Sequence, residues 1–141
     1  MMSLTKQQIV ARLKHRSLAR MQTRDRSRLL SSLGFEPWPT HNVYTDAYRH
    51  PRLRLVVKNA LLLGHPPRAL TVPVTPLCAP RKMRQWVMQP LVDTHNAKMA
   101  YKMLKTILGK RKRKTFIDFH EWNVGWKKNS SGKNQPVLFD W

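Results

Sequence analysis

The 141 residues carry 27 lysines and arginines against 7 aspartates and glutamates, a net charge of +20 with a pI near 11.4. Such a chain repels itself unless a polyanion neutralises it, and nucleic-acid phosphates do so with counterion release. A membrane surface is the rival partner, but no apolar run approaches the ~20 residues a spanning helix needs. Cys78 is the single cysteine, which excludes an internal disulfide and a cysteine-based zinc site.

Residues 1–24 contain no acid; the first is Asp25. Lys6, Arg12, Lys14, Arg16 and Arg20 among apolar residues match a mitochondrial transit segment. Such a segment can be cleaved, but here it is expected to remain in the mature chain. The basic series continues through Arg24, Arg26 and Arg28 at the start of a predicted helix. A solvated helix face is the ordinary reading of such cations, but with so little acid nearby RNA backbone is the better partner.

Leu29, Leu30 and Leu33 make one apolar face at the end of that helix, residues 25–33, and Gly34 suits a left-handed cap. Pro37 and Pro39 force an extended passage. Residues 41–46, β-prone at Val43 and Tyr44, read as a strand. Pro51 signals the first turn of a second helix, residues 51–60. Leu53, Val56, Val57, Ala60 and Leu61 then fall at i, i+3, i+4, i+7 and i+8, facing a core. Val56 and Ala60 are expected against the sheet, with Arg52, Arg54 and Lys58 pointing outward.

Pro66, Pro67, Pro73, Pro76 and Pro80 exclude a helix from the next stretch, which reads as an extended strap whose Leu70, Val72, Val74 and Leu77 need burial. Residues 81–88 read as a strand or one helical turn ended by Pro90. Thr94 is an N-cap for the clearest helix. Ala97, Ala100, Met103, Leu104, Ile107 and Leu108 form its stripe; Lys98, Tyr101, Lys102 and Lys105 form the opposite face, and Gly109 stops it. Met99 and Met103 read as packing. Lys110, Arg111, Lys112, Arg113 and Lys114 follow without a break. A localisation-like or disordered tract is the plain alternative, and RNA phosphate is the partner preferred. Residues 115–122 are aromatic and β-prone. Asp118, His120 and Glu121 on adjacent and alternating positions do not converge on a catalytic or metal site. The tail has a polar loop and an apolar end, with Trp126 and Trp141 available to stack on unpaired bases or to anchor on protein.

Taken in order, Leu33-Gly34-Phe35, the strand and turn from Val43 to Asp46, the basic run Leu55-Val56-Val57-Lys58-Asn59 and the following Leu61-Leu62-Leu63 resemble the large-subunit ribosomal protein L-thirty family, mitochondrial type. Upstream, Ile9-Val10-Ala11-Arg12-Leu13-Lys14 looks like that family's first strand. The match covers roughly residues 8–66 and is carried by order and spacing rather than by one motif. Arg54 and Leu55 depart from the small residues often found at the start of the second helix, and Gly64 and Pro66 shorten the last strand.

The resemblance implies an α+β fold: a small three-stranded antiparallel sheet (residues 8–14, 41–46 and 61–65) with two helices on one face, in the order β-α-β-α-β. A long basic C-terminal extension with one further helix follows. Residues 1–66 form the domain, 67–93 the strap and 94–141 the basic helix and aromatic extension. The expected function is a structural constituent of the large ribosomal subunit in the mitochondrial matrix, binding large-subunit RNA and bridging neighbouring ribosomal proteins. Its RNA contacts are expected from Arg12, Lys14, Arg16, Arg20, Arg24, Arg26, Arg28, Arg52, Arg54, Lys58 and the tract Lys110 to Lys114. No enzyme activity, cofactor, metal or small-molecule substrate is expected. The alternative is a free-standing architectural or regulatory nucleic-acid binder.

Overall fold

The computed structural model describes residues 4–16, 18–38, 47–60, 68–77, 85–113 and 121–139, with the side chains at 110–113 and 122 left aside. The chain divides into two compact units, each built from two separated stretches: residues 1–60 with 74–91, and residues 61–73 with 92–141.

Unit 1 begins with α1, Lys6–Arg16, where the resemblance places a strand. The helix starts on a capping box: Thr5 N–H donates to Gln8 Oε1 at 2.8 Å, and Gln8 N–H to Thr5 Oγ1 at 3.2 Å. Ile9 and Leu13, one turn apart, are buried together. A 3-10 turn at Leu18–Arg20 leads into α2, Thr23–Ser32, close to the predicted helix. Its end is a Schellman motif, with Phe35 N–H on the Leu30 carbonyl and Gly34 N–H on Ser31, both at 3.0 Å. Gly34 takes φ +97°, the left-handed conformation anticipated for it.

The sheet of unit 1 has five antiparallel strands in the order β1-β2-β3-β5-β4: β1 Glu36–Pro37, β2 Ala47–His50, β3 Leu55–Ala60, β4 Thr75–Pro76 and β5 Gln85–Pro90. This overturns the three-stranded β-α-β-α-β arrangement. Residues 51–60 are not a helix: Pro51 opens a turn, Arg54 closes it at φ +52°, and β3 follows. The 3.6-residue spacing misled because β3 is buried on both faces, so its apolar residues form a run rather than an alternation. Leu55 and Val57 share the helix-facing core with Trp86 and Met88 of β5, Leu77, Ile9, Leu13 and Leu30. The register Val56↔Gln89 and Lys58↔Val87 puts these four on the other face, where all are buried. The predicted strands at 41–46 and 61–65 lie outside the described residues.

Unit 2 is built on α3, Ala97–Arg113, packed on the hairpin of β6 Val124–Lys128 and β7 Asn134–Leu138. The helix begins three residues after Thr94, which is not its cap; Asp93 Oδ1 instead accepts His95 N–H at 2.8 Å, and Asn96 sits at φ +55°. Gly109 breaks the helix at φ 68°, ψ 172°, and the backbone turns helical again as far as Arg113. Ala100, Leu104 and Leu108 pack with Val124 and Leu138. The other face of the hairpin packs Val137 with Val72, Val92 and Phe139. The stripe is rotated from its predicted setting: Tyr101 packs against the core, whereas Met103 and Ile107 are 40% and 53% exposed. Val72 and Leu77 of the proline-rich stretch are buried, as their composition demands.

Candidate nucleic-acid interface

In unit 1 burial of Ile9 and Leu13 fixes the rotation of α1 and leaves Arg12, Lys14 and Arg16 exposed. Arg12 and Arg16, one turn apart, share a flank of the helix. Arg20 is exposed on the 3-10 turn, and burial of Leu30 leaves Arg24 and Arg28 exposed one turn apart on α2. Asp25 is the single acid between residues 1 and 35. Among the described residues the ion pair of unit 1 is Arg49–Glu36 at 2.7 Å, both side chains about half exposed and of little worth to stability. Arg12, Lys14, Arg16, Arg20, Arg24 and Arg28 therefore have no carboxylate partner among the described residues. Phosphate groups suit such a surface, because each contact releases condensed counterions.

Other expected contacts sit elsewhere. Arg26 is turned inward: its Nη1 donates to the Leu18 carbonyl at 3.0 Å and to the Met21 carbonyl at 2.9 Å. Its Cζ lies 4.7 Å from the centre of the Trp86 ring. The guanidinium closes the 3-10 turn and ties it to β5, using donors that a phosphate would need. Lys58, expected to point outward from a helix, is 3% exposed on β3. Arg52 is exposed and donates to the Leu4 carbonyl at 2.7 Å, tying the turn after β2 to the start of α1. Arg54 is exposed on that turn. Lys110, Arg111, Lys112 and Arg113 lie on helical backbone after Gly109, and Lys114 lies outside the described residues, as do Asp118, His120 and Trp141.

Cations that the sequence reading left off the site emerge in unit 2. Lys127, Lys128 and Lys133 are exposed around the β6–β7 turn. The signal for them was an acid-free polar loop between two apolar runs. Trp126 does not present its face for stacking: it is partly buried against Leu104 and its neighbours, and its Nε1–H donates to the His95 carbonyl at 2.8 Å.

His50 is a buried histidine with a structural role. Leu53 N–H donates to its Nδ1 at 3.1 Å, and Phe35 meets the ring edge-on at 5.1 Å. Burial lowers its pKa from 6.5, the Arg52 charge adds to this, and backbone hydrogen bonding at Leu33 and at His50 itself opposes it. Among the described residues no three His, Cys, Asp or Glu side chains are grouped to hold a metal ion. No described helix is long and apolar enough to cross a membrane.

No protein-family model, curated protein or solved structure matches the chain.

Proposed function

We propose that the chain is a structural, RNA-binding constituent of a large ribonucleoprotein particle, and more narrowly of the large subunit of the mitochondrial ribosome. The observation that carries the reading is the run of exposed cations on α1, the 3-10 turn and α2 (Arg12, Lys14, Arg16, Arg20, Arg24 and Arg28), matched by no described carboxylate partner. A helical surface of that kind fits a folded RNA by charge and shape. Contacts from these cations to phosphates would set the position of the chain on RNA without carrying sequence information. The acid-poor N-terminal segment supports the organelle. The resemblance to the L-thirty family supports the ribosome through sequence order alone, since the elements it implied over residues 8–14 and 51–60 fold otherwise.

Exposed Met99, Met103 and Ile107, four residues apart on α3, support the bridging part of the reading. A row of unbranched and branched apolar side chains is suited to a protein neighbour rather than to phosphate. The test is sedimentation of an organelle lysate through a sucrose gradient. A ribosomal constituent travels with the large subunit and leaves it when RNA is digested. A regulator would travel mainly in the light fractions, and that distribution would replace this reading with the free-standing nucleic-acid binder.

A further inference from the structure

The turn between β6 and β7 is short, polar and held from within. Asn129 Oδ1 accepts three hydrogen bonds: from Ser131 N–H at 3.0 Å, Ser131 Oγ–H at 2.8 Å and Lys133 N–H at 3.0 Å. Asn129 N–H donates to the Lys133 carbonyl at 2.9 Å and Gly132 N–H to the Asn129 carbonyl at 3.0 Å. Gly132 stands at φ +80°, where a side chain would be strained. One amide side chain thus fixes the path of five residues, and little conformational freedom remains for a ligand to remove.

The register sets where the charges go. Val124, Trp126 and Lys128 alternate onto the face that carries the α3 core, and Gly125 and Lys127 onto the other. Lys133, opposite Asn129, falls on the same face as Lys127. The tip therefore carries ammonium groups on both faces, all exposed. From Asn123 to Phe139 the sequence contains no acid, and the nearest described carboxylate on a bridged strand, Asp93, accepts His95 N–H through Oδ1.

We infer that the β6–β7 tip is a second binding site, a preformed finger whose Lys127, Lys128 and Lys133 hold the phosphodiester backbone of folded RNA. This deepens the reading of the chain as an RNA-binding constituent and rests on it. Three compact point charges spread over a thin ribbon match phosphates on the two sides of a helical groove. The tip has no apolar side chain to anchor a protein partner, because the apolar residues of both strands are used up against α3 and Phe139. Backbone recognition also explains why the lysines need no base-reading partners beside them.

The experiment measures binding of the full chain to a structured RNA stem-loop across a salt series, beside thermal melting. The variant Lys127→Gln/Lys128→Gln/Lys133→Gln is expected to melt as the parent does and to lose about two to three units from the slope of log affinity on log salt, at 0.7–0.9 per contact. Asn129→Ala keeps the charges but frees the turn, so affinity should fall several-fold with the slope retained. An unchanged slope in the triple variant, while Arg24→Gln/Arg28→Gln flattens it, overturns the finger and leaves the α1–α2 surface standing. No salt-dependent binding by the parent chain overturns both. A flattened slope accompanied by a lowered melting temperature, or full affinity in Asn129→Ala, rejects a preformed site.

Discussion

The two units treat charge in opposite ways. Unit 1 takes polar groups inside: His50, Lys58 and Gln89 are buried, and Arg26 closes its 3-10 turn over Trp86. In unit 2 every described charged side chain is exposed, the buried polar residue is the uncharged Asn123, and the cores around Leu104 and Val137 are apolar. Apolar contact tolerates changes in pH and salt, whereas a buried ionisable group is stable in one protonation state alone. Unit 1 should therefore be the sensitive part of the molecule and unit 2 the indifferent one. Under the proposed function, the cations left outside would meet RNA in both.

Breaking the core of unit 1 should give the largest effect. Val57 is fully buried in the middle of β3, between His50-bearing β2 and β5. Val57→Asp places a carboxylate there at a cost of about 3–5 kcal/mol, against a total of about 5–15 for a small domain. Hydrogen exchange should show protection lost through β2, β3 and β5 while α3 and the β6–β7 hairpin keep theirs. Equal loss in both would mean that they fold as one cooperative body and that the contrast has no thermodynamic content.

Arg26→Ala comes next. It removes two charged hydrogen bonds to carbonyls and a cation–π contact, together about 2–3 kcal/mol after solvent takes over part of the work. Arg26→Lys should rescue in part, since one ammonium nitrogen can donate to both carbonyls as Nη1 does but lacks the planar group that lies over Trp86. The urea midpoint of unit 1 reads this, and full rescue by lysine would reduce Arg26 to a simple charge.

A part of the fold was legible in the sequence, and the failures have physical causes. The Leu30–Leu33–Gly34 signature gave α2 and its cap because both signals are local. Acid-poor composition gave the exposed surface. Thr5 and Gln8 spell the capping box of α1, but Ile9 and Val10 are β-branched and the resemblance claimed them for a strand. Over residues 51–60 the apolar pattern fits a helix as well as a strand buried on both sides. Adjacent β-branched Val56 and Val57 suit the strand, and Pro51, which also suits a helix start, opens a turn here. Arg26 and Lys58 look like ligands of RNA in the sequence because no periodicity tells which cation a fold will turn inward. The α3 stripe was placed too far toward Met103 because methionine suits core and surface alike.

His50 sharpens the contrast by pH. Its folded pKa is depressed below 6.5 by burial first and the Arg52 charge second, so the neutral ring is the folded form. The stability it contributes is full above 6.5, and it declines as pH falls from there through the folded pKa, because the unfolded chain takes up the proton first. Protonation would also set a second N–H against the Leu53 N–H that donates to Nδ1. Unit 1 should thus lose exchange protection on acidification before unit 2. His50→Asn, which keeps an acceptor but does not titrate, should lessen the pH dependence. The same dependence in that variant would assign it to the carboxylates instead.

The smallest effect separates two lysine-or-arginine positions that the sequence alone treats as equals. Arg28 is exposed on α2 and Lys58 is buried on β3. Arg28→Gln changes no packing, so melting should stay within ~0.5 kcal/mol of the parent while the salt slope of RNA binding drops by about one unit. Lys58→Gln should do the reverse: a cation removed from the interior alters packing and its buried interactions, lowering the melting of unit 1 with the slope unchanged. The pair needs only melting and salt titration, and each variant controls for the other. If Lys58→Gln flattened the slope and left melting alone, β3 would have to present that face to RNA. The division between structural and RNA-facing cations in unit 1 would then be drawn in the wrong place.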